Sequence, residues 1–346
     1  MINMIKRNYN LDYLRGLAAF AIMIYHYLSW TLGRFSSDSF MGRVGIYGVS
    51  IFYVLSGLTL YFVYIDKMKP TRMELFHFYK KRILRIFPLL WLVTIIAVII
   101  QKQSPDFINL FLNLSGLFGF LRWDKYYSTG AWSIGNELVF YVFFPIFIYL
   151  VKKSKGLMVL LSFILFSIYI YFAFVKLTPD LKLREQWKDY VNPLNQVFLF
   201  LSGFYIGYLS NEVKFNKRIT TSLLILGLIV FVFYPVSGDL INLVTGFNRI
   251  IFTICCILIC FSFFKLNYKF SEKLHKPLKF LGEASYSVYL LHPLSFKLTQ
   301  YFVKYISLST RLVLSISITI ILSYFVYQYF EKFFMKLGSK KISITN

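Results

Sequence analysis

Three ionisable side chains share one apolar stretch near the start of the chain. Leu11-Asp12-Tyr13-Leu14-Arg15-Gly16-Leu17-Ala18-Ala19-Phe20 continues through apolar residues to His26. An ionisable group inside a membrane is expensive, so each is a functional candidate by default. A helix turns ~100° per residue, hence ~1,100° from Arg15 to His26, ~20° beyond three full turns. Both therefore lie on one face, ~16 Å apart along the axis, with small Ala19 between. Asp12, three residues before Arg15, reaches it locally. An imidazole so placed can be a general base or a nucleophile. The alternative is that Arg15 snorkels to the inner headgroups and His26 bonds another helix.

A partner for that imidazole stands in Ala131-Trp132-Ser133-Ile134-Gly135-Asn136-Glu137-Leu138-Val139-Phe140-Tyr141, where Glu137 is the one carboxylate of an apolar helix. Entering from outside, Glu137 lies ~9 Å below the outer end, and His26 lies ~6 Å below its own. Matching depths would let a carboxylate orient and polarise the imidazole. A structural interhelical hydrogen bond is the competing outcome.

Basic chemistry sits at the opposite end of a third helix, in Tyr79-Lys80-Lys81-Arg82-Ile83-Leu84-Arg85. Arg82 and Arg85 project from one face and could fork onto phosphates; taken alone, basic residues at an inner helix end are ordinarily topology anchors. Farther on, Ser285, Tyr289 and His292 fall at i, i+4 and i+7, a polar stripe facing the bundle interior. Lining a substrate and bonding a neighbouring helix are equal readings of His292. His77 and His275 fall in basic inner loops and are expected to be solvated. Cys255, Cys256 and Cys260 share one apolar run without a CxxC pair, as small buried hydrophobes do. No Walker A loop, GxGxxG, HExxH or His/Cys cluster calls for a nucleotide-hydrolysis site or a metal.

The elements that position these groups follow from composition. Of 346 residues, 58% are hydrophobic, 21% aromatic and 15% charged. A soluble chain carries about 25% charged residues and could not hide so much apolar surface. With 39 Phe and 27 Tyr spread from end to end, the chain is not disordered. A net charge of +23 invites a nucleic-acid reading, but the cations lie in short clusters between apolar runs rather than in one patch. The fold class expected is all-α, a polytopic membrane protein forming a single integral-membrane domain over 1–346.

At about 20 apolar residues per crossing, about ten transmembrane helices are expected, near 11–30, 44–65, 83–101, 131–151, 157–175, 193–210, 219–236, 250–264, 280–303 and 311–330. Phe107–Leu121 is short and broken by Asn113, Ser115, Gly116 and Gly119, hence interfacial or re-entrant. The first stretch lacks a small-residue cleavage site and reads as a retained span rather than a signal peptide. With N- and C-termini cytoplasmic, about 24 of the 38 Lys and Arg fall on inner segments, from Lys6 and Arg7 through Lys269 to Lys341. That asymmetry follows the positive-inside rule. An eleventh span at Phe107–Leu121 would turn the Lys152–Lys155 and 265–279 clusters outward.

Taken together, these segments resemble the acyltransferase 3 family, bacterial membrane enzymes that O-acylate sugars. Arg15 and His26 match its Arg-x10-His, and Gly48-Val49-Ser50-Ile51-Phe52-Tyr53-Val54-Leu55-Ser56-Gly57 resembles its second-helix signature. Arg82 and Arg85 match its Arg-x-x-Arg, and Trp132, Ser133, Glu137, Phe140 and Tyr141 match a Trp-Ser-…-Glu-x-x-Phe-Tyr block. Tyr286, Tyr289, Leu290 and His292 match the late helix motif. Five motifs in family order span nearly the whole chain, although Tyr13 and Asn136 stand where Gly and an aliphatic are more usual. The resemblance implies an acyl-CoA donor, most simply acetyl-CoA, bound from the cytoplasm with its phosphates on Arg82 and Arg85. It also implies His26 as base or acyl carrier, Glu137 as its charge stabiliser, and Arg15 on the donor or the developing oxyanion. Trp132, Tyr286 and His292 would line the substrate. The acceptor would be a hydroxyl of a lipid-linked sugar or cell-surface polysaccharide, and the setting the bacterial inner membrane. No SGNH esterase-like domain follows in the sequence, which implies direct transfer by the membrane domain. The competing function is a carrier or export component for a glycan or lipid, though no internal repeat supports it.

Overall fold

Strings of apolar residues with few helix breakers fold here as long helices, several of them started by a polar cap. The computed structural model describes residues 7–340 apart from 70, 102–103, 211, 267, 269 and 304–305. It is 80% helical, with no strand among the described residues. In chain order the helices are α1 (Tyr9–Leu32), α2 (Phe40–Tyr64), α3 (Arg72–Gln101), α4 (Phe107–Ser115), α5 (Phe118–Leu121), α6 (Ala131–Lys153), α7 (Lys155–Tyr171) and α8 (Trp187–Tyr190). There follow α9 (Pro193–Ser210), α10 (Lys217–Phe233), α11 (Gly246–Lys265), α12 (Glu272–Glu283), α13 (Ser285–Phe302), α14 (Leu308–Phe325) and α15 (Lys332–Ser339). Asn8, Ser39, Asp106, Asn216 and Ser307 cap α1, α2, α4, α10 and α14 by accepting from an early backbone N–H, which satisfies donors that no helical carbonyl can reach.

Among the described residues, six helical segments are long and apolar enough to cross a membrane: Phe40–Tyr64, Arg72–Gln101, Ala131–Lys153, Lys155–Lys176, Gly246–Lys265 and Leu308–Ser339. Helices also form over the other four expected segments, as α1, α9, α10 and α13. The expected 280–303 segment is divided, since α12 ends at Glu283, Ala284 is its C-cap and α13 begins at Ser285. Phe107–Leu121 forms two short helices, broken at Gly116, whose φ of 76° is left-handed and favours glycine. His77 and His275 differ from expectation, for both lie in helices, α3 and α12, and both are half-buried. Of the loop cations that set the topology, Lys6, Lys269 and Lys341 lie outside the described residues.

The chain divides into two compact units. The first, Met1–Asp66 with Gly156–Ser285, is held by helix crossings at glycine. A Cβ on Gly57 would overlap the Phe200 carbonyl, and one on Gly203 the Val54 carbonyl, so α2 and α9 touch backbone to backbone. Gly16 and Gly282 bring α1 and α12 together in the same way. In lipid, where burial of apolar surface drives little, such small-residue crossings let packing and dispersion hold helices together. The three cysteines lie buried and free in α11 of this unit, as the sequence predicts.

The second unit, Lys67–Lys155 with Tyr286–Asn346, crosses α5 on α6 at Gly119 and Gly135. Its α15 packs on α3, where a Cβ on Gly338 would meet Leu84 and Lys81 at 3.4 Å. Phe78 stacks on Phe144 at 5.5 Å between α3 and α6.

Candidate functional site

In the first unit, the candidate chemistry lies along α1. The helix is unbroken from Tyr9 to Leu32, so the Arg15–His26 spacing keeps its ~16 Å rise. Arg15 pairs with Asp12, Nη1 to Oδ1 at 3.2 Å, as the i, i+3 spacing predicts. Its other terminal nitrogen donates to Thr59 Oγ1 of α2 at 2.9 Å. Thr59 in turn donates to the Leu55 carbonyl. Asp12 also accepts from Arg7 Nε at 2.6 Å, and Arg7 bridges on to Glu283 of α12 at 2.8 Å. The carboxylate thus serves two guanidiniums, and Arg15 is held from two helices. Thr59 was not picked out by the sequence reading; it is the one threonine of α2, two residues past the signature ending at Gly57.

His26 is half-buried, its ring parallel to Trp30 at 5.1 Å and 6° and tilted against Tyr25 at 5.2 Å. Ring contacts on both sides, stacked on Trp30 and tilted on Tyr25, restrain the imidazole plane. Two residues before Arg15, the Tyr13 hydroxyl lies 2.5 Å from His275 Nδ1, so His275 is a packing partner rather than a solvated loop residue. Arg43 and Arg249 are buried cations of a structural kind. Arg43 donates to the carbonyls of Ser37, Phe231, Val232 and Tyr234, and Arg249 to that of Asn195, with its guanidinium 4.3 Å from the Tyr169 ring centre.

The second unit gathers the other candidates on α3, α6 and α13. Glu137 accepts from the Tyr141 hydroxyl at 2.9 Å, one turn along α6. The Arg82 guanidinium lies over the Tyr141 ring at 5.7 Å and over Phe78 at 5.9 Å. Ile83 is 46% exposed, an apolar side chain turned outward, whereas Arg82 and Arg85 on either side are half-buried. Tyr286 donates to the Ile86 carbonyl at 2.7 Å, which seats α13 against the turn carrying Arg85. Tyr289 shares a 2.8 Å hydrogen bond with Ser133 and donates to the Gly130 carbonyl at 3.1 Å. Trp132 is buried beside them in sequence, and His292 is wholly buried with Nδ1 3.3 Å from the Val288 carbonyl.

One residue of this group escaped the sequence reading. Glu331 is 5% exposed, accepts from Ser287 Oγ, and lies within electrostatic reach of Arg85 and Tyr286. It closes a π-helical segment, Val326–Glu331, that continues α14; such segments cluster at functional positions. A signal was present, since Glu331 is the one acidic residue after Glu283 in a tail rich in lysine.

Among the described residues, six apolar helices, an exposed apolar surface and buried polar groups mark a multi-pass, helical membrane protein. The chain belongs to the acyltransferase 3 family, whose model, described as an acyltransferase domain, matches residues 8–328. It is 24% identical over 361 aligned positions to O-acetyltransferase OatA of Staphylococcus aureus, covering 95% of this chain and 57% of the relative. Putative acetyltransferase ORF330 of Acidianus two-tailed virus is 26% identical over 295 positions, 83% of each chain. Peptidoglycan O-acetyltransferase OatA of Listeria monocytogenes is 24% identical over 163 positions, 42% of this chain and 24% of the relative. The chain thus spans 57% of the length of the staphylococcal relative. No solved structure matches it.

Proposed function

We propose that this chain is a membrane O-acetyltransferase that moves an acetyl group from cytoplasmic acetyl-CoA to a hydroxyl of a lipid-linked sugar or cell-surface polysaccharide. The supporting observation is the inward turn of Arg82 and Arg85, half-buried beside Tyr141 and Tyr286, within the stretch matched by the acyltransferase domain. Two guanidiniums three residues apart suit the phosphates of coenzyme A. Relatives named as O-acetyltransferases, one of them for peptidoglycan, point to acetyl and to a glycan. The ten-span topology with both termini cytoplasmic, set in the bacterial inner membrane, belongs to the same proposal and rests on the loop cations.

In the reaction, His26 takes the proton of the acceptor hydroxyl as its oxygen attacks the thioester carbonyl. The C–S bond then breaks, and the imidazolium returns the proton to the departing thiolate, leaving ester and free coenzyme A. Arg15, fixed by Asp12 and Thr59, offers a preorganised cation to the oxyanion. Glu137 supplies the balancing carboxylate, and Trp132, Tyr286 and His292 line the substrate path. The variant route passes the acetyl group through His26 itself, and trapping an acetyl-imidazole distinguishes the two.

The test is purified full chain with labelled acetyl-CoA and a glycan acceptor. Transfer lost in His26→Ala and a donor KM raised in Arg82→Ala and Arg85→Ala are expected. Transfer unchanged in His26→Ala would overturn the assignment. Glycan movement across vesicles without acetyl transfer would establish the carrier function instead.

A further inference from the structure

Arg85 does not face an empty surface. Its turn of α3 is bracketed by α13, through the Tyr286 bond to the Ile86 carbonyl, and by α15, through Gly338 against Leu84. The segment joining α14 to α15 ends in Glu331 and packs on α3. Ser287, next to Tyr286, donates to the Glu331 carboxylate. Glu331 is buried and acts on Arg85 through space, yet among the described residues the two form no direct ion pair. A buried carboxylate is costly unless a cation balances it. Here the hydrogen bond that the carboxylate accepts comes from Ser287. Arg82 has a different neighbourhood, the Tyr141 and Phe78 rings.

We propose that Glu331 is the resident counter-ion of Arg85, a positioning residue that balances the guanidinium while the site is empty and yields it to a donor phosphate. The inference rests on the reading of Arg82 and Arg85 as the donor-phosphate site. Two like charges then share one guanidinium in the loaded state, so Glu331 competes with the phosphate and sets how readily coenzyme A leaves. The Ser287 hydrogen bond limits that competition by restraining the carboxylate.

Coenzyme A binding to the full chain in detergent, by titration calorimetry, tests this. Removing the charge in Glu331→Gln is expected to tighten coenzyme A on the order of tenfold, as separated charges at an effective dielectric of ~20 give. Glu331→Asp keeps the charge and is expected to bind as the parent does. Ser287→Ala frees the carboxylate to close on Arg85 and is expected to weaken binding several-fold, the opposite sign. The Glu331→Gln gain is expected to vanish in Arg85→Ala and to persist in Arg82→Ala. Unchanged or weaker binding in Glu331→Gln, with thermal unfolding like the parent's, overturns the counter-ion role. So does a gain that survives in Arg85→Ala, and Ser287→Ala decides the matter should the glutamate variants not fold. Coenzyme A affinity unaltered by Arg82→Ala and Arg85→Ala would instead overturn the donor-site reading beneath it.

Discussion

The Tyr141 hydroxyl donates to Glu137 Oε1 at 2.9 Å, while the ring that carries it lies under the Arg82 guanidinium at 5.7 Å. One aromatic side chain thereby touches both a carboxylate and a cation. Hydroxyl and ring act on different partners. Tyr141→Phe removes the hydrogen bond and keeps the face that Arg82 covers. A hydrogen bond to a charged group is worth about 1.5–3 kcal/mol, so kcat for acetyl transfer should fall about tenfold with donor KM nearly unchanged. Tyr141→Leu removes both and should raise donor KM as well. Steady-state kinetics in detergent separate the two, and equal effects would show that the ring does not position Arg82.

Packing of the first unit depends on glycine at positions where backbones meet. A side chain at Gly57 must displace the Phe200 carbonyl, and backbone cannot rotate aside as a flexible side chain can. Gly57→Val should cost about 2–3 kcal/mol, read as a lowered midpoint of thermal unfolding in detergent. Gly156 in α7 has open space around its Cβ position, so Gly156→Ala should gain about 0.5–1 kcal/mol through helix propensity. Equal behaviour of the two variants would mean that the α2–α9 crossing does not carry stability.

The difference between what patterns of residues revealed and what they hid is a difference of range. Asp12 with Arg15 is a pair three residues apart on one helix, fixed by helical geometry alone, and its ion pair forms as the spacing predicts. The burial of Ser285, Tyr289 and His292 likewise follows from a stripe on one helix. Thr59 on Arg15, Ser287 on Glu331 and Tyr13 on His275 join helices distant in sequence, and no periodicity states which faces will meet. The division at Ala284 escaped for a related reason. A hydropathy window runs through it, whereas the approach of Gly282 to Asp12 is a contact between distant segments.

Burial also sets the reactivity of the three thiols. Cys255, Cys256 and Cys260 are at most 2% exposed in α11, and thiols without access do not react however nucleophilic they are. Maleimide should leave the protein unlabelled in native membranes and label it after denaturation. Acetyl transfer should survive maleimide treatment unchanged. Labelling of the native protein with loss of activity would place a thiol on the substrate path.

Arg15 offers the sharpest separation of charge from geometry. Its guanidinium divides its bonds between Asp12 and Thr59, 3.2 and 2.9 Å away on two helices. Lysine keeps the charge, but a single ammonium on a flexible stem cannot reproduce that planar fork. If Arg15 serves by aiming a cation, Arg15→Lys should lower kcat at least about tenfold, equivalent to ~1.4 kcal/mol of transition-state stabilisation. Thr59→Val removes one of the two restraints without touching the charge, and it should lower kcat in the same direction by less. In the double variant the Thr59 effect should disappear, because lysine no longer makes that bond. Additive losses, measured as log kcat at saturating donor, would mean that Thr59 acts apart from Arg15.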